Sequence, residues 1–158
     1  MSVPATISHA VQQMQVWAEI IMCVRRICRR GRGLAVAVLH QLRDRLTLEE
    51  AIDFGAQLPL IVRGIYHEGW RPSKTPEKLR SRHEFLEGVS AKLALHSVGA
   101  EPATRDVFSL LAQAIDSGEI GDVINQLPAG IKELWPEGIR TWASKRGMAR
   151  NRSSKSSC

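Results

Sequence analysis

Aromatic residues and cysteines are scarce in this sequence. Phe, Trp and Tyr make up 5% of its 158 residues, so a folded core has to be built mostly from Leu, Ile, Val and Ala. The three cysteines, Cys23, Cys28 and Cys158, include no CxxC pair, and the five histidines include no HExxH motif. The sequence therefore offers no zinc motif. We expect free thiols in a reducing compartment.

Long apolar runs are also missing. The best candidate, residues 16–24, is interrupted by Glu19 and runs into arginines, whereas a membrane span needs roughly 18 apolar residues. The N-terminus has no basic leader followed by an apolar segment. These absences predict a cytoplasmic protein that does not enter a membrane.

The net charge of +6 is concentrated in two places. Residues 143–158 hold five bases and no acid, and five arginines fall between Arg25 and Arg32. The rest of the chain is almost neutral. Because the Ser, Lys, Arg and Asn composition of residues 143–158 cannot bury a core, we expect this basic tail to be disordered.

The strongest pattern in the sequence is an internal repeat. Gln57-Leu58-Pro59 recurs as Gln126-Leu127-Pro128, and apolar positions around it match at the same separation of 69 positions. The matching pairs include Val38 with Val107, Leu42 with Leu111, Leu46 with Ile115 and Val62 with Ile131. A shared apolar period with a shared Pro at a fixed place indicates a duplicated structural unit.

Apolar residues follow helical spacing almost everywhere, and no segment shows sustained alternation. Thr47 and Asp116 are predicted helix N-caps, and Pro59 is predicted to break one helix and to start the next as its first residue. Gly69 suits the left-handed position after a helix, with Trp70 folding back on the last turn. The sequence thus predicts an all-α duplicated helical bundle within residues 1–142. Its two tandem units, of about four helices each, pack on one core and span about residues 8–70 and 79–138.

The ordered motifs resemble a bacterial family catalogued as domain of unknown function 2267. The segments that carry this resemblance are Ala37–Leu46, Glu49–Ala51, Ala56–Pro59, Tyr66–Pro72, Glu84–Leu86, Gln126–Pro128 and Glu133–Pro136. The resemblance covers roughly residues 10–136 and implies an all-helical duplicated domain, with no established activity to transfer to these positions. The arginine-rich turn at residues 28–33 and the chain beyond Pro136 depart from the family pattern.

The most distinctive local run is Tyr66–Pro72. Arg63, Tyr66, Trp70 and Arg71 are of the residue types that anchor interfaces, so this corner is our predicted surface for a protein partner. The alternative is a helix C-cap with Trp70 packed over it. The partial echo at residues 134–138 favours that structural interpretation, since both units need the same helix end.

A second hypothesis concerns the arginine patch. Arg25, Arg26, Arg29 and Arg30 share one side of a predicted helix, and with the basic tail they suit weak, sequence-independent contact with nucleic acid phosphates. The same arginines also complement the dipole at the end of that helix.

Candidates for catalysis are weak. His40 and Asp44 lie one helical turn apart, but no nucleophile accompanies them, and the acids at the helix starts are what the helix dipole favours. No catalytic residue, metal or cofactor is predicted, and the leading hypothesis is a non-catalytic binding or scaffolding module. If a ligand site exists, we expect it where the two Pro breaks meet, lined by Gln57 and Gln126.

Overall fold

The computed structural model describes residues 33–77, 81–92 and 99–155, together with residues 8, 11, 12 and 15–18 near the N-terminus. The N-terminal residues among them are helical. The described ranges contain helices and no strand, which confirms the all-α prediction. The α-helices are α1 (Leu34–Arg43), α2 (Leu48–Ala56), α3 (Leu60–His67), α4 (Arg82–Lys92), α5 (Ala100–Ala114), α6 (Ser117–Gln126), α7 (Ala129–Lys132) and α8 (Glu137–Lys155), and a short 3-10 helix spans Pro72–Lys74.

Short-range interactions fix where several helices begin. The Thr47 side chain accepts a hydrogen bond from the Glu50 N–H at the start of α2, and Asp116 accepts one from the Gly118 N–H at 2.7 Å at the start of α6. Pro59 directly precedes α3, so it is the N-cap and not the first helical residue as predicted. The Thr47 and Asp116 side chains each satisfy an N–H that has no partner within its own helix, whereas Pro59 makes no side-chain cap.

The end of α3 follows the predicted glycine stop. Gly69 has a φ of 67°, in the left-handed region that only glycine adopts at no steric cost. The chain then folds back, and the Trp70 N–H donates to the His67 carbonyl at 3.1 Å. This confirms the left-handed cap.

One continuous core joins the helices. Helix α1 packs against α3, α4 and α5, while α2 packs against α6. The core is mainly aliphatic, as expected, but its largest side chains are the few aromatic rings: Phe54, Tyr66, Phe85, Phe108 and Trp135. The Phe108 and Trp135 rings stack with their centroids 4.2 Å apart.

Residues 143–155 of the basic tail are helical. Helix α8 continues to Lys155, so the prediction of disorder from residue 143 is wrong as far as that residue. Ala143 is fully buried and Ile139 packs against the core, and α8 packs along α6. Tertiary packing of this narrow apolar stripe stabilises a helix whose own composition is polar. No helix in the described ranges is both long and apolar enough to cross a bilayer.

Candidate functional site

Tyr66 belongs to the core. It is fully buried, its ring centroid lies 5.6 Å from that of Phe54, and its hydroxyl donates to the Ala51 carbonyl at 3.1 Å. Burial raises the pKa of Tyr66 far above its usual range. Tyr66 therefore joins α3 to α2, and its ring is not presented to a partner.

Arg63 caps the end of α2. Its Nε donates to the Gly55 carbonyl at 3.0 Å, and its Nη2 donates to the carbonyls of Ala56 at 2.8 Å and Leu58 at 3.1 Å. The last carbonyls of a helix have no partner in their own helix, so this guanidinium supplies the hydrogen-bond donors that they lack. Its Nε and Nη2 donors are therefore used within the protein.

Arg43 performs the corresponding task for α3, and sequence reasoning missed it. The side chain is buried, and its Nη1 donates to the carbonyls of Tyr66 and Glu68 while its Nε donates to Asp44 at 2.8 Å. Arg43 lies on a different helix from the carbonyls it binds, so no local sequence pattern distinguishes it from the other arginines.

Trp70 orders the segment that follows α3. Its Nε1 donates to the Thr75 hydroxyl at 2.9 Å, and its ring centroid lies 5.3 Å from that of His67. The Arg43 guanidinium lies 5.9 Å from the Trp70 ring, in the range of a cation–π contact. Partial burial, with the nearby Arg43 and Arg63 charges, lowers the pKa of His67.

Beside this corner lies a polar cleft of about 130 Å³, called here the corner cleft. Within the described part of the chain, the side chains of Arg71 and Lys74 make neither a hydrogen bond nor an ion pair. Of the two acids in the cleft wall, Asp44 is bound to Arg43 and Glu77 lies 4.0 Å from Arg45. The residues that line the corner cleft are Arg43, Asp44, Gly69, Arg71, Lys74, Thr75 and Glu77.

A second cavity, of about 160 Å³, lies where α2 meets α6. Its walls include Arg45, whose buried guanidinium lies 5.0 Å from the Phe85 ring and 4.0 Å from Glu77. Burial lowers the pKa of Arg45. The remaining lining residues are Thr47, Pro76, Gln126 and Pro128.

The side-chain amides of Gln57 and Gln126, which were expected to line a ligand site where the two Pro breaks meet, are used unequally. The Gln126 Oε1 accepts from the Thr47 N–H at 3.2 Å, and its Nε2 donates to Glu50 at 3.0 Å. Gln57 is exposed and does not line this second cavity. Its side chain makes no hydrogen bond with any described residue. Gln126 thus ties α6 to the start of α2, which is an architectural use of the amide.

The suspected His40–Asp44 pair is not a hydrogen-bonded unit. The His40 Nε2 lies 2.7 Å from the Ile65 carbonyl and its Nδ1 lies 3.5 Å from Lys92 Nζ, while Asp44 accepts from Arg43. Burial lowers the pKa of His40. Both ring nitrogens have partners, so His40 joins α1 to α3 and α4.

The remaining sequence candidates fall into two groups. In the described part of the chain, no three His, Cys, Asp or Glu side chains are grouped so as to hold a metal ion. The Arg25, Arg26, Arg29 and Arg30 patch lies outside the described residues, together with Cys23, Cys28 and Cys158, so its role stays a prediction.

The model of the family described as "Uncharacterized conserved protein (DUF2267)" matches residues 29–134. The match covers more than half of the chain and spans α1 to α7. The chain belongs to this family, as the resemblance of its motifs suggested. A search of curated proteins found none that matches it.

Proposed function

We propose that this DUF2267 protein is a non-catalytic binding module that holds an anionic group of a protein partner in the corner cleft. One observation carries the proposal. Arg71 and Lys74 line a cleft whose wall contains the buried Arg43 guanidinium, and neither exposed cation has an acidic partner among the described residues.

The charges and donors of the cleft suit an oxyanion. Planar guanidinium groups match carboxylate and phosphate geometry, and cations that line one concave wall raise the local concentration of anions. The Thr75 oxygen accepts from Trp70, which leaves its own hydrogen free to donate to a ligand. A space of about 130 Å³ corresponds to roughly four water molecules, so it fits a single side-chain group.

Contacts within the protein hold the walls of the cleft. The Arg43 contacts tie its wall to α3, and the Glu77 N–H donates to the Asp44 carbonyl at 2.7 Å. The Trp70–Thr75 bond holds Thr75, another lining residue. A wall that is already ordered loses little conformational freedom on binding, which favours affinity. In this proposal Arg71 lines the contact surface and Trp70 orders the adjoining segment through Thr75, whereas Arg63 and Tyr66 make their hydrogen bonds within the protein.

The test is a set of fluorescence anisotropy titrations with three labelled peptides of one scaffold, bearing glutamates, phosphoserines or glutamines. We expect the two anionic peptides to bind and the glutamine peptide not to bind. The double variant Arg71→Ala/Lys74→Ala should weaken binding about tenfold or more, since charge-assisted contacts are lost. Lys145→Ala, an exposed base on α8, is the matched control. Equal binding by the double variant and the wild type would contradict the proposal.

We also infer that the two halves of the chain are a tandem duplication. In support, α2 and α6 begin at Leu48 and Ser117, and α3 and α7 begin at Leu60 and Ala129, each pair 69 positions apart like the sequence repeat. Each of α2 and α6 has a side-chain N-cap, and the two helices pack against each other.

Contact with nucleic acid is the second candidate function. One observation favours it: Lys145 and Arg146 lie exposed on α8, so part of the basic tail is presented on a helix. A labelled DNA duplex in the same anisotropy assay should then bind weakly and release steeply with salt. Absence of binding at low salt would remove this candidate.

A further inference from the structure

Helix α6 is covered by α8. A Cβ added at Gly121 would lie 2.6 Å from the Trp142 ring, and one added at Gly118 would lie 2.8 Å from an Arg146 nitrogen. Both glycines are buried. Since α8 rests on positions that have no side chain, the α6 backbone lies directly beneath it.

The same positions on α2 are open. At the repeat separation, Ile52 corresponds to Gly121 and Leu48 to Ser117, and these two side chains are 50% and 43% exposed. They lie one helical turn apart on a single face. In the first turn of α3, Leu60 and Ile61 are 81% and 66% exposed. Single exposed apolar residues are ordinary, but neighbouring ones on one helix face can form an interaction surface.

Charge indicates whether a basic helix or a second copy of α2 is the better partner for this face. Helix α2 carries three acids, Glu49, Glu50 and Asp53, and no base. The side chains described on α8 include Arg140, Lys145 and Arg146 against the single acid Glu137. Helix α6 carries the acids Glu119 and Asp122 and no base, so in this protein an acidic helix already lies under the basic α8. Two copies of α2 face to face would bring like charges together, which is unfavourable.

We propose that the α2 face formed by Leu48, Glu49, Ile52 and Asp53 docks a basic amphipathic helix of a partner protein, as α8 covers α6. Because α2 presents large apolar side chains where α6 presents glycine, the incoming helix carries small residues along its contact stripe and bases beside it. The comparison of the α2 face with the covered α6 face rests on the proposed duplication, and it does not depend on the corner cleft.

The experiment uses two labelled synthetic helices that share an alanine-rich contact stripe and differ only in flanking residues, lysine in one and glutamate in the other. The full-length protein should bind the lysine helix saturably and the glutamate helix about tenfold more weakly or not at all. Hydrogen exchange on the complex should show new protection in residues 48–56 and not in α8.

Two variants test the site itself. Ile52→Ser should reduce binding of the lysine helix about tenfold or more, since an apolar anchor is lost, without lowering the denaturation midpoint because Ile52 is half exposed. Met148→Ser, a 64% exposed residue on α8, is the control and should leave binding unchanged. Glu49→Lys/Asp53→Lys should transfer the preference to the glutamate helix.

Three outcomes would overturn the proposal. The first is equal binding of both helices, and the second is binding that Ile52→Ser leaves intact. The third is self-association of the wild type that Ile52→Ser abolishes, because this result would assign the face to a second copy. The corner-cleft variants are separate, so either proposal can fail while the other stands.

Discussion

Helices α2 and α6 occupy corresponding places in the sequence, start at side-chain caps and pack against each other, yet their outer faces differ. The outer face of α6 is built from Gly118 and Gly121 and lies under α8. The outer face of α2 carries Leu48 and Ile52 and is open. The side chains at these positions determine how closely another helix can approach. Glycine permits close packing within the chain, whereas the larger apolar side chains on α2 leave a surface for another molecule.

The largest expected effect comes from disturbing the covered face. Ala143→Glu places a carboxylate at a fully buried position between α8 and α6 and should cost about 3 kcal/mol or more of unfolding free energy. Ala149→Glu, at an exposed position of the same helix, should change it by less than about 0.5 kcal/mol. Urea denaturation followed by circular dichroism measures both. Similar values for the two variants would mean that α8 is not packed as described.

The glycines on α6 allow a sharper test. Gly121→Ala should destabilise the protein by about 1 to 3 kcal/mol, since the new methyl group displaces the Trp142 ring. Gly64→Ala, on α3 with no atom within 4 Å of the added Cβ, should stabilise it by roughly 0.5 to 1 kcal/mol through reduced chain entropy. Thermal denaturation should move the two midpoints in opposite directions. A gain in stability for Gly121→Ala would show that α8 yields to the methyl group.

The two glutamines of the repeated motif should behave differently. Gln126→Ala removes both hydrogen bonds to the start of α2 and should cost roughly 0.5 to 1.5 kcal/mol. Gln57→Ala should cost almost nothing, because its exposed side chain binds no described residue. Urea denaturation of the two variants measures both losses. Equal losses of unfolding free energy would support the equivalent roles that the repeated motif predicted for Gln57 and Gln126.

The smallest expected effect is acid sensitivity of the first half. Burial lowers the pKa of His40 and of His67 below the ordinary 6.5, so the folded state binds protons less readily than the unfolded state. This contribution to stability is complete above pH 6.5 and is lost as the pH falls through the lowered pKa values. His40→Gln should flatten the fall in urea midpoint between about pH 7.5 and 5. His83→Gln, at an exposed histidine on α4, is the control, and an unchanged slope for His40→Gln would exclude His40 as the source.

Much of the fold was predictable because it depends on neighbours in the chain. The caps at Thr47 and Asp116, the breaks before Pro59 and Pro128 and the left-handed Gly69 each involve interactions within about four residues. The apolar period identified the helices and most of the core. The candidate site was predicted only in part: Trp70 and Arg71 line or support the corner cleft, Arg63 and Tyr66 are used inside the protein, and Arg43 was missed.

By itself, the sequence determined that the chain is helical, where several helices begin and end, and that its pattern repeats after 69 positions. Only the tertiary structure decided that Tyr66 is buried, that Arg43 caps α3, that residues 143–155 are helical and that α6 is covered while the α2 face is exposed. The physical reason is the distance along the chain over which each kind of interaction acts. Backbone conformation responds to adjacent residues, whereas burial and the partners of a charged side chain depend on which distant segment packs against it.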